Sequence, residues 1–348
     1  MTKAVVVDDS HFMRTVISDI LDDGGIDVVE QASDGERAVA AVADHEPDVV
    51  TMDVEMPRMN GIEAVEEIMA TTPTPVVMLS AHTKDGAEAT FEALEKGAVD
   101  FLAKPGGEVS TEISAHRETL VETVRSATRA DLSSVAEPAD ADPTPGTIEP
   151  DHGYVENPTV VIGASTGGPR VVERVVSDLP READLRVLVV QHMPDGFTER
   201  FAARLDRRSE YSVSEAEDGM RIGGGEAVVA KGGYHLAVAG YGRGRLRLRL
   251  TEDDPMHGVR PAIDVTMETA AEKISDPLTG VVLTGMGGDG AAGIEAIKAV
   301  DGATLAQNEE TCSVFGIPAR AIETGCVDRV LPADEISKAI LTTISEDG

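Results

Sequence analysis

Thr159-Val160-Val161-Ile162-Gly163-Ala164-Ser165-Thr166-Gly167-Gly168-Pro169 is an apolar run that stops at a glycine-flanked serine and meets Pro169 four residues later. Proline suits the first turn of a helix, so the stretch reads as a strand, a tight turn and a helix start. A turn of this G-x-S-x-G form lifts the serine hydroxyl out of the backbone. A glycine-rich loop after a strand also suits a phosphate or dinucleotide at a helix N-terminus, so the loop alone leaves catalysis and anion binding open.

The same alternation continues outward to the C-terminus. Strands are predicted at 159–162, 186–190, 227–230, 235–238, 245–250, 279–283, 303–306 and 327–330. Helices are predicted at 169–179, 196–206, 261–274, 291–300 and 334–344. Strands alternating with helices imply a doubly wound α/β sheet. Arg245, Arg247 and Arg249 alternate with Leu246, Leu248 and Leu250, which predicts a hairpin with one wet face. Two further strand ends carry chemistry: His192 in Gln191-His192-Met193-Pro194, and Asp289 in Thr284-Gly285-Met286-Gly287-Gly288-Asp289-Gly290. Taken singly, each reads as a structural or turn residue. Together with Ser165 they supply a nucleophile, a base near pH 7 and a carboxylate to fix the base's tautomer. The chain order Ser…His…Asp differs from the Ser…Asp…His of α/β-hydrolases. The backbone amides of Thr166 and of the Met286–Gly288 turn are the candidate oxyanion donors.

The first 127 residues repeat the alternation, with strands predicted at 4–7, 28–31, 49–52, 76–79 and 99–102 and amphipathic helical segments such as 12–21 and 62–69. This again implies a parallel sheet, whose site lies past the strand C-termini. Asp8 and Asp9 follow the first strand, Asp53 the third, Ser80 and Ala81 the fourth, and Lys104-Pro105 the fifth. Three carboxylates at one edge call for a hard cation, and Mg²⁺ suits oxygen ligands. A lysine opposite them suits a phosphoryl group, with Asp53 as acceptor. Each acid alone reads as a helix cap or loop residue; Asp9 in particular precedes a helix.

Between these halves the composition turns to Ala, Asp, Pro, Ser and Gly, which predicts a flexible acidic linker at 128–157 between domains at 1–127 and 158–348. The chain of 348 residues has 63 acidic and 30 basic side chains and a formal net charge of -33. Phosphate backbones would be repelled, so nucleic-acid partners are not expected. Self-repulsion of this size is screened by high salt, and we expect a cytoplasmic protein from a salt-rich interior. No apolar run reaches a membrane-spanning length and the start resembles no signal or transit peptide, so membrane insertion is not expected. Two cysteines are too few for a disulfide framework and read as reduced thiols.

Residues 1–127 resemble a two-component receiver domain, with an acidic pair (Asp8/Asp9), a central aspartate (Asp53), a hydroxyl residue (Ser80) and Lys104-Pro105. The strongest local signature is Asp53-Val54-Glu55-Met56-Pro57-Arg58-Met59-Asn60-Gly61. The resemblance implies a flavodoxin-like fold and phosphorylation at Asp53. Asp8, Asp9, Asp53 and the carbonyl of Glu55 would hold Mg²⁺, and Ser80 and Lys104 the phosphoryl oxygens. Phe101 sits where many receivers carry a switching aromatic.

Residues 158–345 resemble the catalytic domain of the chemotaxis protein-glutamate methylesterases of the CheB type. The matching motifs are the Ser165 turn, Gln191-His192-Met193, Arg260-Pro261-Ala262-Ile263-Asp264-Val265, Leu283 to Gly290, and Phe315-Gly316-Ile317-Pro318. The resemblance implies Ser165, His192 and Asp289 as catalytic residues, with Thr166 and Met286 near the oxyanion. It implies demethylation of glutamate γ-methyl esters and deamidation of glutamines on chemoreceptors, with no cofactor for the ester chemistry. It also implies a chemotaxis histidine kinase as phosphodonor, and a receiver that blocks the catalytic cleft until phosphorylated.

Overall fold

The computed structural model describes residues 2–80, 84–104, 111–130 and 153–345; of 84–88, 103 and 111–116 only the backbone is described. Ala81, Pro105 and positions 131–152 of the expected linker lie outside the described residues. The chain divides into two compact units, 1–143 and 144–348.

The first unit runs β1 (Lys3–Val7), α1 (His11–Asp23), β2 (Asp27–Ala32), α2 (Gly35–His45), β3 (Val49–Asp53), α3 (Gly61–Thr71), β4 (Val76–Ser80), α4 (Lys84–Glu95), β5 (Asp100–Ala103) and α5 (Thr111–Ala127). The five strands form one parallel sheet in the order β2-β1-β3-β4-β5. Every residue of β3 and β4 is buried. A parallel sheet covered by helices on both faces requires such continuous apolar runs, and for the same reason the strands are legible in the sequence. Ser10 caps α1, its Oγ accepting from the amide of Met13, so Asp9 is not the cap and its exposed carboxylate stays at the sheet edge. Asn60 and Glu63 form a reciprocal capping box that starts α3 directly after the Asp53 loop.

The second unit runs β6 (Thr159–Ala164), α6 (Gly168–Ser177), β7 (Arg186–Gln191), α7 (Phe197–Arg208), β8 (Ser212–Glu215), β9 (Arg221–Ile222), β10 (Glu226–Val229), β11 (His235–Gly242), β12 (Arg245–Thr251), α8 (Ile263–Lys273), β13 (Leu278–Val282), α9 (Ala291–Ala299), β14 (Ala303–Gln307), α10 (Ile317–Glu323), β15 (Arg329–Leu331) and α11 (Ile336–Thr343). Seven strands form a parallel sheet ordered β15-β14-β13-β6-β7-β10-β8. The serine strand β6 lies near its middle, with β13 and β7 as neighbours, so the three strand ends that carry Ser165, His192 and Asp289 are adjacent. The arginine-leucine alternation is β12. It pairs with β11 and β9 in a separate antiparallel sheet, with Leu246 and Leu248 buried and Arg245, Arg247 and Arg249 exposed. The sequence reading omits β8, β9 and α10, and it merges a short 3-10 turn, Ala333–Glu335, with α11.

Candidate active sites

In the first unit, Asp8, Asp9 and Asp53 each offer a carboxylate oxygen within 4.8 Å of the others. Lys104 Nζ reaches over this group, 2.8 Å from Asp8 Oδ2 and 2.7 Å from Asp53 Oδ2. Burial raises the Asp53 carboxyl above its usual range. Lys104 pulls it back, Asp8 raises it further, the Glu55 amide lowers it, and the net direction is upward. Three acids facing one lysine leave an excess of negative charge, and oxygen donors of this kind fit a hard divalent cation. Ser80 ends β4 and pairs with Ala103 of β5, which sets it beside Lys104; the Lys104 amide donates to the Ser80 carbonyl over 2.7 Å. Phe101 is buried and meets Phe91 edge-on, with ring centroids 5.9 Å apart.

In the second unit, the imidazole Nε2 of His192 lies 2.8 Å from Asp289 Oδ2. The carboxylate accepts, so Nε2 carries the proton and Nδ1 is left as the basic nitrogen. Ser165 is placed by backbone register: the His192 amide donates to the Ala164 carbonyl over 3.0 Å, and the Ser165 amide to the Thr284 carbonyl over 3.0 Å. Among the described residues no hydrogen bond joins the Ser165 hydroxyl to His192. The amides of Thr166 and Met286 donate to no group among the described residues.

The turn is braced from three sides. Gln191 Nε2 donates to the Ser165 carbonyl over 2.8 Å. Gln307 Oε1 accepts from the Thr284 amide at 2.9 Å, and Thr284 Oγ1 donates to the Thr166 carbonyl over 3.0 Å. Gly167 adopts φ 73°, a conformation that favours glycine, and a Cβ there would meet Ser313.

Asp289 is buried and does double duty. Its Oδ2 accepts from the Ile263 amide at 2.7 Å and its Oδ1 from the Asp264 amide at 2.9 Å, so it caps α8. Burial pushes its carboxyl up, but the His192 hydrogen bond and charge and these two amides outweigh burial, and the net direction is downward. Asp264 returns the arrangement, its Oδ1 accepting from the amides of Gly290 and Gly293 at 2.8 and 2.7 Å at the start of α9. The sequence reading gave Gln191, Gln307 and Asp264 no role. Gln191 and Asp264 stand inside motifs that it singled out; Gln307 carries no local signal.

A cleft of about 510 Å³ begins at the same turn, lined by Gly287, Gly288, Phe315, Gly316, Ala319 and Arg320.

Residues 160–340 match the CheB methylesterase family and residues 4–112 the response regulator receiver domain. The chain is 61% identical over 348 residues, 99% of either chain, to a Halobacterium salinarum protein named protein-glutamate methylesterase/protein-glutamine glutaminase. A protein of the same name from Thermotoga maritima is 41% identical over 343 residues, 98% of each. The crystal structure of the Thermotoga maritima CheB methylesterase catalytic domain superposes with a TM-score of 0.52 at 41% identity, over 55% of this chain and 99% of that one. The order of the two matches, a receiver followed by a catalytic domain, and the full-length identity place this chain in the CheB methylesterase family.

Proposed function

We propose that this protein hydrolyses glutamate γ-methyl esters on chemoreceptors to glutamate and methanol, and deamidates glutamines there with release of ammonia. The observation that carries the reading is the imidazole–carboxylate pair, His192–Asp289, at a strand end next to Ser165, in a chain 61% identical to a protein named for this activity. Ser165 Oγ attacks the γ-carbonyl carbon and its proton passes to His192 Nδ1. Asp289 holds the imidazole with Nε2–H toward itself and stabilises the imidazolium. The amides of Thr166 and Met286 receive the oxyanion. The bond to the methoxy oxygen breaks, and His192 returns the proton to form methanol. Water then attacks the acyl-enzyme by the same base and frees Ser165.

The first unit controls this reaction. Asp53 accepts a phosphoryl group from a chemotaxis histidine kinase. Asp8, Asp9, Asp53 and the Glu55 carbonyl would hold Mg²⁺, which would supply positive charge to offset that of the phosphoryl group. Ser80 and Lys104 bind the phosphoryl oxygens. The unphosphorylated receiver restrains the catalytic unit, and phosphorylation shifts the population toward the active form. The domain bounds of this reading are 1–127 and 158–348 with a linker between them, and the second unit extends back to Tyr154, which bridges Ser345, while the Val155 amide donates to the Ile344 carbonyl over 2.9 Å. Among the described residues no helix is long and apolar enough to cross a membrane, and we place the reaction on receptor segments in the cytoplasm. The acidic surplus suits a salt-rich interior. Mass spectrometry of methylated receptor peptides tests the reading. Conversion of esters to acids by the parent and none by Ser165→Ala supports it; equal conversion by both refutes it.

A further inference from the structure

Asp264 is buried as deeply as Asp289, and it too receives an imidazole: His257 Nε2 lies 2.7 Å from Asp264 Oδ2. The two pairs are coupled through the backbone. Asp289 accepts the Asp264 amide and Asp264 accepts the amide of Gly290, which directly follows Asp289. Each carboxylate therefore takes one imidazole and two backbone amides, and each caps the helix whose start bears the other. His257 Nε2 is also 3.9 Å from Asp289 Oδ1.

Two buried carboxylates this close repel each other, and each must be held by donors. Glu268 of α8 shows the local field: burial first, then the charges of Asp264 and Asp289, hold its carboxyl above the usual range, with His257 opposing. The groups facing Asp289 and Asp264 are thus His192 after β7, His257 from the loop after β12, and Glu268 on α8. Arg260, in the same loop as His257, is turned toward the carbonyls of Glu252 and Asp253. His257 is the donor that satisfies the second oxygen of Asp264.

We propose that His257 is a positioning residue for the hydrolysis: its hydrogen bond to Asp264 fixes the α8–α9 cap pair, and through it the orientation of Asp289 against His192. This rests on the reaction proposed above. Among the described residues the polar contacts of His257 are with Asp264 and Asp289, and none joins it to Ser165 or to the Met286–Gly288 turn. Its own side chain is 43% exposed, so its removal leaves the core intact. The expected consequence is a loss in kcat at unchanged KM, because Asp289 acts on the transition state rather than on substrate binding.

The test uses the full-length chain with two readouts, kcat on methylated receptors and the low-field NMR resonance of the His192 ring proton shared with Asp289. His257→Ala should lower kcat by about tenfold, the scale expected for a slightly misplaced catalytic group, and should move or broaden the resonance. His257→Gln, whose amide can still donate to Asp264, should restore both in large part. An unmoved resonance, an unmoved kcat, or a loss in His257→Gln as large as in His257→Ala overturns the proposal. A parent chain inactive on receptors would refute the proposed reaction, while the resonance would still decide the fate of the His257–Asp264 pair.

Discussion

Gly285→Ala should disable the nucleophile without dissolving the fold. Gly285 sits in the turn after β13, directly behind Ser165. A methyl group there would stand 2.7 Å from Ser165 Cβ, 2.9 Å from Ser165 N and 2.6 Å from Ile317 Cδ1. Ordinary carbon–carbon contact begins at about 3.5 Å, so the serine must retreat by roughly 0.8 Å or the turn must open. The turn resists opening: the Gly285 amide donates to Val314, and its carbonyl accepts from the amides of Gly316 and Ile317. The displacement therefore falls on Ser165. Overpacking of this kind costs about 1–3 kcal/mol of stability. A nucleophile displaced by nearly 1 Å loses on the order of 100-fold in rate. The control is Gly240→Ala on β11, where a methyl would meet nothing within 4 Å. The assay is methanol release under saturating receptor, beside a thermal melt of each variant. Gly285→Ala should lose about 10- to 100-fold in kcat with a cooperative melt retained, and Gly240→Ala should match the parent. A Gly285→Ala variant with parental kcat would refute the placement of the nucleophile against this turn.

Three further outcomes follow. The Asp289 carboxyl is depressed in the folded state, so its stabilisation is complete above the unfolded value of about pH 3.9 and is lost as pH falls through the folded value. Asp289→Asn should therefore be less stable than the parent by a constant margin above about pH 4 in denaturant titrations, and the margin should shrink at lower pH. For Asp53 the sign is opposite, since burial raises its folded carboxyl: Asp53→Asn should raise the melting temperature of the first unit at neutral pH, and should lose any further rise that added Mg²⁺ produces in the parent. A chain beginning at residue 158 should demethylate receptors without phosphodonor faster than the unphosphorylated full chain; an equal or lower rate would exclude restraint by the receiver.

The parts of the fold that the sequence discloses are those dictated by burial. β3, β4, β6, β7 and β13 are buried along their whole length and appear as short stretches made mostly of apolar residues. β8 is an edge strand, Ser-Val-Ser-Glu, with one apolar residue, and β9 has two residues; neither carries a periodic signal. α10 has seven residues, too few for a helical period to emerge. The strand-end rule brings Ser165, His192 and Asp289 into one neighbourhood because β6, β7 and β13 are sheet neighbours, although chain order alone does not give their adjacency. The supporting shell is less legible for a physical reason. Asp264 reads as an ordinary acid in the first turn of a helix, yet its Oδ1 accepts from amides at the start of another helix, those of Gly290 and Gly293. His257 meets Asp264 only because the loop before α8 folds back, and no local spacing encodes that.

The most direct test measures methanol released from methyl-labelled receptor membranes in high salt, with and without acetyl phosphate and Mg²⁺, for the parent, Ser165→Ala and Asp53→Ala. The account predicts release by the parent that rises with phosphodonor, no release by Ser165→Ala, and unstimulated release by Asp53→Ala. Release by folded Ser165→Ala at the parental rate, or no release by the folded parent from receptors shown to be methylated, would contradict it.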